Sequence, residues 1–130
     1  MAELGDLMMK DVAVFRDRGS LESSLEKLNT LNERSANLAA SGTQAYNPGW
    51  DVAIQLPGMI EMAIAIARSA LKINESRGAH TRVDYPKMDL ALEEVNTVAT
   101  RSADGAISIR FVRRPPMPEP LASLLVGAAR

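Results

Sequence analysis

The chain has 130 residues, 46% of them hydrophobic and only 4% aromatic, which predicts one domain with an aliphatic core. Fifteen Lys and Arg residues balance sixteen Asp and Glu residues, so no excess charge favours nucleic acid or an anionic membrane surface. The lack of Cys and the single His exclude a disulfide framework, thiolate metal sites and multi-histidine metal sites. No apolar run approaches the roughly 20 residues that span a bilayer, so direct membrane insertion is not expected.

Two amphipathic helices are predicted in the first forty residues. Apolar residues recur at spacings of three and four from Leu4 to Phe15, which predicts a first helix of about a dozen residues. The chain enters this helix without a leader pattern, which is typical of a small natural protein or of a piece cut from a longer one. Arg16–Gly19 interrupts the pattern, Ser20 is the expected N-cap of the second helix, and a leucine stripe continues to about Ala40.

A third and longer helix is predicted from Asn47-Pro48, an N-cap followed by Pro at the first helical position, to about Arg77. Apolar residues cover most of its circumference, which predicts a central helix with neighbours on two faces. Pro57-Gly58 is expected to kink it, and Gly78 is expected to end it as the C′ residue. Two methionines on this helix are interpreted as core fillers rather than as a binding surface: Met59 and Met62.

The apolar period changes from 3.6 to 2 in the last third of the chain. Val95–Thr100 and Ile107–Val112 alternate in polarity and flank Asp104-Gly105, which together predict a β-hairpin. Because an isolated hairpin is only marginally stable, the face that carries Ile107 must pack on another element. The Pro-rich stretch 113–120 is interpreted as extended, polyproline-like backbone, and residues 121–130 as a weak last helical turn or a frayed end.

These elements predict a mainly α fold. The expected architecture is an up-down, spectrin-repeat-like three-helix bundle over residues 1–92, a β-hairpin extension over 93–114 and an extended Pro-rich tail over 115–130.

The segment Asn74–Pro86, NESRGAHTRVDYP, carries six ionisable side chains within thirteen residues and straddles a helix end and a turn. By composition alone, His80 with Glu75 or Asp84 could form an acid–base pair, and the two arginines could clamp a carboxylate or phosphate. No second His, no Ser nucleophile with its base and no Gly-rich phosphate loop accompany them. An ion-pair network that fixes the loop is therefore the favoured interpretation.

The same segment resembles the signature of the C-terminal helical domain in succinate dehydrogenase/fumarate reductase flavoprotein subunits, an Ala-rich helix ending in E-S-R-G-A-H-x-R-x-D-x-P. The helical start, the hairpin and the Pro-rich tail are also similar to that domain, so the resemblance covers most of the chain. L-aspartate oxidases carry a similar domain, but Ala79 and Arg82 favour the dehydrogenase/reductase branch. The chain matches the signature at Glu75, Ser76, Arg77, Gly78, Ala79, His80, Arg82, Asp84 and Pro86.

The resemblance implies a parent FAD-dependent oxidoreductase whose FAD-binding and capping domains, flavin histidine and substrate-binding residues all precede this domain. It therefore implies no catalytic, cofactor-binding or metal residue in this chain, and the isolated chain is expected to be inactive. It further implies a cytoplasmic location at the inner face of a membrane, reached through partner subunits, with the iron–sulfur subunit nearby. The residues expected to brace the contact with the other domains are Glu75, Ser76, Arg77, Gly78, His80, Arg82 and Asp84.

Four alternatives stay open at this point. The chain is either a domain of such a flavoprotein, the matching domain of another flavoprotein such as L-aspartate oxidase, or a free-standing helical interaction module. A stand-alone hydrolase that uses His80 and Glu75 is the least favoured. Reading the gene upstream separates the first from the module, because an open frame that encodes a dinucleotide fold marks a domain of a longer enzyme.

Overall fold

The computed structural model describes residues 1–128, and the predicted mainly α class is confirmed, with a small antiparallel sheet beside the helices. A two-residue parallel pairing of Phe15–Arg16 with Thr81–Arg82 was not expected from the sequence. The elements in chain order are α1 (Ala2–Asp11), β1 (Phe15–Arg16), α2 (Arg18–Ser35), α3 (Pro48–Lys72), β2 (Thr81–Arg82), a 3₁₀ helix (Leu90–Glu94), β3 (Val95–Arg101), β4 (Ile107–Arg113) and α4 (Glu119–Ala128).

The start of α2 corrects the predicted cap. Asp17, not Ser20, is the N-cap: its carboxylate accepts the Ser20 N–H at 2.9 Å, and the Ser20 hydroxyl accepts the Asp17 N–H at 3.1 Å. This reciprocal capping box places Ser20 at the third helical position. The predicted end at Ala40 is also wrong, because Asn37 and Leu38 bond to carbonyls three residues back and the helix ends at Ser35.

The core lies between the first three helices. α2 packs extensively on α3, and α1 packs on α2. Three alanines of α3 are buried in this core: Ala63, Ala67 and Ala70. Two ion pairs, Asp11 with Lys27 at 2.8 Å and Glu3 with Arg34 at 2.9 Å, link α1 to α2. The buried apolar residues are Leu4, Leu7, Val12, Leu21, Leu28, Ile60, Ala63, Ile64, Ala67 and Ala70.

α3 begins as predicted and buries one face only. The Asn47 side chain accepts the Gly49 N–H at 3.0 Å, with Pro48 at the first helical position. The helix continues without a break through Pro57, and the kink there stays a prediction. The core-filler interpretation of two methionines is wrong in this chain, because Met59 is 41% and Met62 63% exposed.

The length and composition of α3 would also suit a membrane span. Its most apolar 18-residue window has a mean hydropathy of 1.3, and 22% of that window is buried. A core helix of a soluble domain passes the same test, and Ile60, Ile64 and Ala67 place one face of α3 in the core. The helix is therefore weak support for a membrane span.

The hairpin forms as predicted and packs on α3. β3 and β4 are antiparallel, with Val95 opposite Arg113 and Arg101 opposite Ile107. Two basic side chains of α3 donate hydrogen bonds to carbonyls of β4: Arg68 to Ile107, and Lys72 to Ile109 at 2.8 Å. These bonds give the hairpin the support that an isolated two-stranded sheet lacks.

The extended tail is only partly observed. Residues 114–118 have no regular structure, but α4 follows from Glu119 to Ala128, so the helical alternative predicted for this stretch is observed and is longer than one turn. The helix forms because the Pro118 carbonyl accepts the N–H groups of Leu121 and Ala122, at 2.9 and 3.1 Å. A Pro at or before the first turn removes no intrahelical hydrogen bond. Residues 129 and 130 lie outside the described part of the chain.

Candidate functional site at the Asn74–Pro86 turn

The signature segment forms two consecutive tight turns after α3. α3 ends at Lys72 with Ile73 in extended conformation, so the predicted end at Arg77 and the C′ role of Gly78 are wrong. Gly78 instead occupies a turn in which Arg77 and His80 exchange both backbone hydrogen bonds, at 2.8 and 3.0 Å. Its φ of +58° is one that side chains disfavour, which explains a glycine here. Arg82 to Tyr85 form the second turn.

Arg82 is the centre of the site, and its side chain is fully buried. Its Nη1 donates to the carbonyls of Ala70, Leu71 and Ile73, at 2.9, 3.2 and 3.2 Å. The first two are among the last carbonyls of α3, which have no partner within the helix, and the third belongs to the residue that follows the helix. Arg82 therefore caps the C-terminus of α3 from a distance and places a positive charge where the helix dipole favours it. The Tyr85 ring lies 4.9 Å from the guanidinium and covers it.

Asp84 neutralises Arg82 and joins it to α2. Its two carboxylate oxygens accept hydrogen bonds from Arg82 Nε and Nη2, at 2.8 and 2.7 Å. One of them also accepts the backbone N–H of Arg18, the first residue of α2, at 3.1 Å. The Arg82 guanidinium lowers the pKa of Asp84 to about 2. Through this pair the turn connects the C-terminus of α3 to the N-terminus of α2, where an anion is favourable.

Glu75 and Arg77 form a second bidentate pair. Arg77 donates to both carboxylate oxygens of Glu75, at 2.9 and 3.1 Å, and Asp89 donates its N–H to the same carboxylate at 2.7 Å. Glu75 is only 4% exposed, and the hydrogen bond from Arg77 is the main cause of its lowered pKa. The two arginines that composition offered as clamps for an external anion therefore hold the chain's own carboxylates.

Ser76 connects the two turns through backbone atoms. Its hydroxyl accepts the Arg82 N–H at 2.8 Å and lies 3.1 and 2.9 Å from the carbonyl oxygens of Arg82 and Tyr85. Its own N–H donates to the Lys87 carbonyl at 3.1 Å. One small side chain thus satisfies polar groups on both sides of the second turn.

His80 contacts backbone rather than a carboxylate. Its Nε2 lies 3.3 Å from the Ile73 carbonyl, where an N–H at that atom donates. Burial, reinforced by the nearby Arg16 and Arg82, lowers the pKa of His80, so the ring is neutral at pH 7. Glu75 and Asp84 are both held by arginines, and hydrogen bonds from His80 to either carboxylate are absent from the described part of the chain.

The sequence did not predict which distant residues contact the Asn74–Pro86 segment. Arg16 and Arg18 reach it from β1 and the start of α2, and Asp89 reaches it from beyond the motif. β1 pairs with β2 because the Thr81 N–H donates to the backbone carbonyl of Val14 at 3.1 Å and the Val83 N–H donates to the backbone carbonyl of Arg16 at 3.0 Å. A two-residue parallel pair between segments more than sixty residues apart leaves no periodic pattern to read.

The charged groups of the turn are bonded within the chain. Within residues 1–128 there is no group of three or more His, Cys, Asp or Glu side chains that could hold a metal. The basic groups that might hold an FAD pyrophosphate in this segment, Arg77 and Arg82, are bonded to internal carboxylates, and the sequence lacks a G-x-G-x-x-G loop. The arrangement is suited to fixing helix ends.

Comparison with known proteins agrees with this description. The fumarate reductase flavoprotein subunit of Helicobacter pylori strain J99 is 40% identical over 85 residues, covering 65% of this chain and 12% of the relative. The succinate dehydrogenase flavoprotein subunit of Coxiella burnetii is 36% identical over 115 residues, covering 88% and 19%. The structure of Mycobacterium smegmatis Sdh1 in complex with UQ1 matches with a TM-score of 0.83 and 33% identity, covering 95% of this chain and 21% of that one.

The chain thus spans about a fifth or less of the length of these relatives. The family described as the C-terminal part of fumarate reductase flavoproteins matches residues 1–120, which include all four bonded charged residues of the turn. Family and neighbours converge on one part of one kind of subunit: the chain belongs to the C-terminal domain family of succinate dehydrogenase and fumarate reductase flavoprotein subunits.

Proposed function

We propose that the chain serves as the C-terminal helical domain of an FAD-dependent subunit that interconverts succinate and fumarate, and that it contributes packing rather than catalysis. The observation that carries this proposal is the closed network of the turn. Glu75, Arg77, Arg82 and Asp84 are bonded to one another or to backbone, so none is free to act on a substrate. Such a network supplies rigidity.

The role proposed for the turn is to fix a surface that the rest of the parent subunit contacts. Charge-assisted hydrogen bonds hold the ends of α2 and α3 in one orientation, and a pre-organised surface reduces the cost of docking. The seven residues that carry this role are Glu75, Ser76, Arg77, Gly78, His80, Arg82 and Asp84.

The proposed organisation is an up-down three-helix bundle over residues 1–92, a hairpin over 93–114 and a tail over 115–130 that contains α4. Two observations support antiparallel packing of the first helices. Glu3 at the start of α1 pairs with Arg34 near the end of α2, and Asp11 at the end of α1 pairs with Lys27 in the middle of α2. Taken together, the two pairs require α1 and α2 to run in opposite directions, because the earlier residue of α1 pairs with the later residue of α2.

The parent subunit would bind FAD through domains outside this chain and pass electrons to an iron–sulfur subunit. Its place would be the cytoplasmic face of a membrane, through partner subunits and without direct insertion of this domain. Two similarities support this assignment: the relatives are flavoprotein subunits, and the Mycobacterium smegmatis Sdh1 neighbour is in complex with UQ1.

A chimera tests the proposal. In the Coxiella burnetii subunit, this chain replaces the segment that it matches, and the control is the same subunit with that segment deleted. We expect the chimera to retain bound FAD, measured by absorbance near 450 nm, and to oxidise succinate with an artificial electron acceptor. The isolated 130-residue chain should bind no FAD. A chimera that is no better than the deletion, or an isolated chain that binds FAD, contradicts the proposal.

A further inference from the structure

Next to the signature turn lies a small surface that the network does not use. We call it the β1–β2 patch and define it as Val14, Phe15, Arg16 and Val83. Backbone hydrogen bonds hold its two segments together, from Thr81 to Val14 and from Val83 to Arg16. Phe15 is 72% exposed and Val83 58% exposed, and Val14 is also exposed. Phe15 is one of only two phenylalanines in the sequence.

Arg16 lacks an anionic partner within the described residues. Its Nε is buried from solvent and has no hydrogen-bond partner, and its side chain forms no ion pair there. Burial, together with the nearby Arg82, lowers the pKa of Arg16. A partly desolvated guanidinium without an acceptor is costly to maintain, because each buried donor loses its hydrogen bonds to water.

The neighbouring arginines show the arrangement that Arg16 lacks. Arg77 and Arg82 each hold a carboxylate bidentately, and Arg18 lies 3.5 Å from Glu22. The two carboxylates of the turn, Glu75 and Asp84, are thereby occupied. Among these four arginines, Arg16 is thus the one whose guanidinium forms no ion pair within the described residues.

We infer that the β1–β2 patch is a docking surface for the preceding part of the parent flavoprotein chain. In this contact the Arg16 guanidinium donates hydrogen bonds to the carboxylate of an Asp or Glu residue in that part. This inference rests on the proposed function. Roughly four fifths of each relative lies outside the segment that this chain matches, so the occupant belongs to the same subunit. The charges of the proposed contact are complementary, because the positive guanidinium of Arg16 meets one negative carboxylate of the occupant.

The composition of the patch fits such a contact. Aromatic residues and Arg carry much of the energy of protein interfaces, and a planar guanidinium pairs with a carboxylate through two parallel hydrogen bonds. An exposed Phe15 beside Arg16 supplies an apolar anchor that excludes water from the ion pair. A polyanion is an unsuitable occupant, because several cations are needed to bind one. The chain has a net charge of −1, and the β1–β2 patch contributes a single guanidinium, that of Arg16.

Opposite responses in two settings test the inference. Arg16→Met is introduced into the isolated 130-residue chain, followed by thermal unfolding with circular dichroism. It is also introduced into the Coxiella burnetii chimera, in which the midpoint temperature for loss of succinate oxidation is measured. We expect the unfolding temperature of the isolated chain to stay constant or rise, because an unpaired desolvated charge is removed. The inactivation midpoint of the chimera should fall by at least about 2 °C.

Phe15→Ser is the second variant, because an exposed side chain can be truncated with little effect on folding. It should leave the unfolding temperature of the isolated chain unchanged and lower the inactivation midpoint of the chimera. Arg110→Met on β4 is the matched control, an exposed arginine without an ion pair in the described structure, and should change neither.

Equal destabilisation of both proteins by Arg16→Met would make Arg16 a residue of the domain's own fold and overturn the docking role. A chimera unaffected by either variant overturns it as well. A chimera that holds no flavin before any substitution rejects the proposed function, and the docking inference is rejected with it. The two failures are therefore distinguished by the unsubstituted chimera.

Discussion

The C-terminal end of α3 and the face of α3 that lines a groove with α1 are completed in different ways. At the C-terminal end, Arg82 bonds to three carbonyls and Asp84 neutralises its charge, so buried polar groups are satisfied inside the chain. On the groove face, Ile54 and Met62 are exposed beside a groove of about 740 Å³ between α1 and α3. The helix end is closed by hydrogen bonds, and this open face leaves apolar surface exposed to water.

The difference follows from the physics of the two kinds of surface. A buried polar group without a partner destabilises a fold by about 1–3 kcal/mol, so polar helix ends are completed within the domain that contains them. Exposed apolar side chains are tolerated individually, at a cost that a covering partner removes. Substitutions at the closed end should therefore affect stability far more than substitutions on the open face.

Arg82→Met should have the largest effect. It uncaps the last carbonyls of α3 and leaves Asp84 without its charge partner, which corresponds to a loss of about 3–5 kcal/mol in the free energy of unfolding. Urea unfolding of the 130-residue chain measures it. Arg34→Met, which removes an exposed pair with Glu3, is the control and should leave the urea midpoint nearly unchanged. Similar midpoints for the two variants would contradict the central role of Arg82.

Protonation of Asp84 should have the next largest effect. The carboxyl has a pKa of about 2 in the folded chain against an ordinary 3.8, so the folded state binds its proton less readily than the unfolded state. The resulting stability is fully present above about pH 4 and is lost as the pH falls through about 2. A shift of this size corresponds to up to about 2 kcal/mol. Urea unfolding of the wild-type chain and of Asp84→Asn, each at pH 6 and pH 2.5, measures this contribution. The variant should lose less stability on acidification, and an unchanged acid dependence would remove Asp84 from the network.

Ser76→Ala should have an intermediate effect at the closed end. The substitution removes an acceptor for the Arg82 N–H and a donor to the carbonyls of the second turn. We expect a loss of about 1–2 kcal/mol by chemical unfolding. Ser108→Ala removes an exposed hydroxyl on β4 that hydrogen-bonds the Thr100 side chain, and it should change the free energy of unfolding by less than about 0.5 kcal/mol.

Local signals in the sequence predicted much of this fold. The hairpin and the start of α3 follow from turn and cap residues whose partners lie within a few positions, Asp104-Gly105 and Asn47-Pro48. The cap at Asp17 was missed because Ser20 matches the same cap preference and lies three residues away. The end of α3 at Lys72 was missed because its cap, Arg82, comes from a later turn.

The sequence located the site through its density of charged residues and its resemblance to a family signature. It did not predict which hydrogen bonds those residues form. The spacing of Arg77 and Glu75 allows a pair, yet it equally allows Arg77 to face a partner, and only folding decides between them. The full burial of Arg82 was not predicted, because Arg is usually exposed and the pairing with Asp84 that permits its burial is seen only in the folded chain. The exposure of Met62 was likewise unpredicted, since an apolar helix does not reveal which of its faces the chain itself covers.

The open face provides the smallest expected effect and the sharpest contrast with the core. Met62→Gln should change the free energy of unfolding of the isolated chain by less than about 0.5 kcal/mol, because its side chain is already 63% exposed. Ile60→Ala on the same helix, at a position 1% exposed, should cost about 2–5 kcal/mol through lost burial and a cavity. Both are measured by urea unfolding. A large loss for Met62→Gln would mean that the isolated chain covers this face in solution, for example by self-association, and sedimentation at several concentrations would then show it.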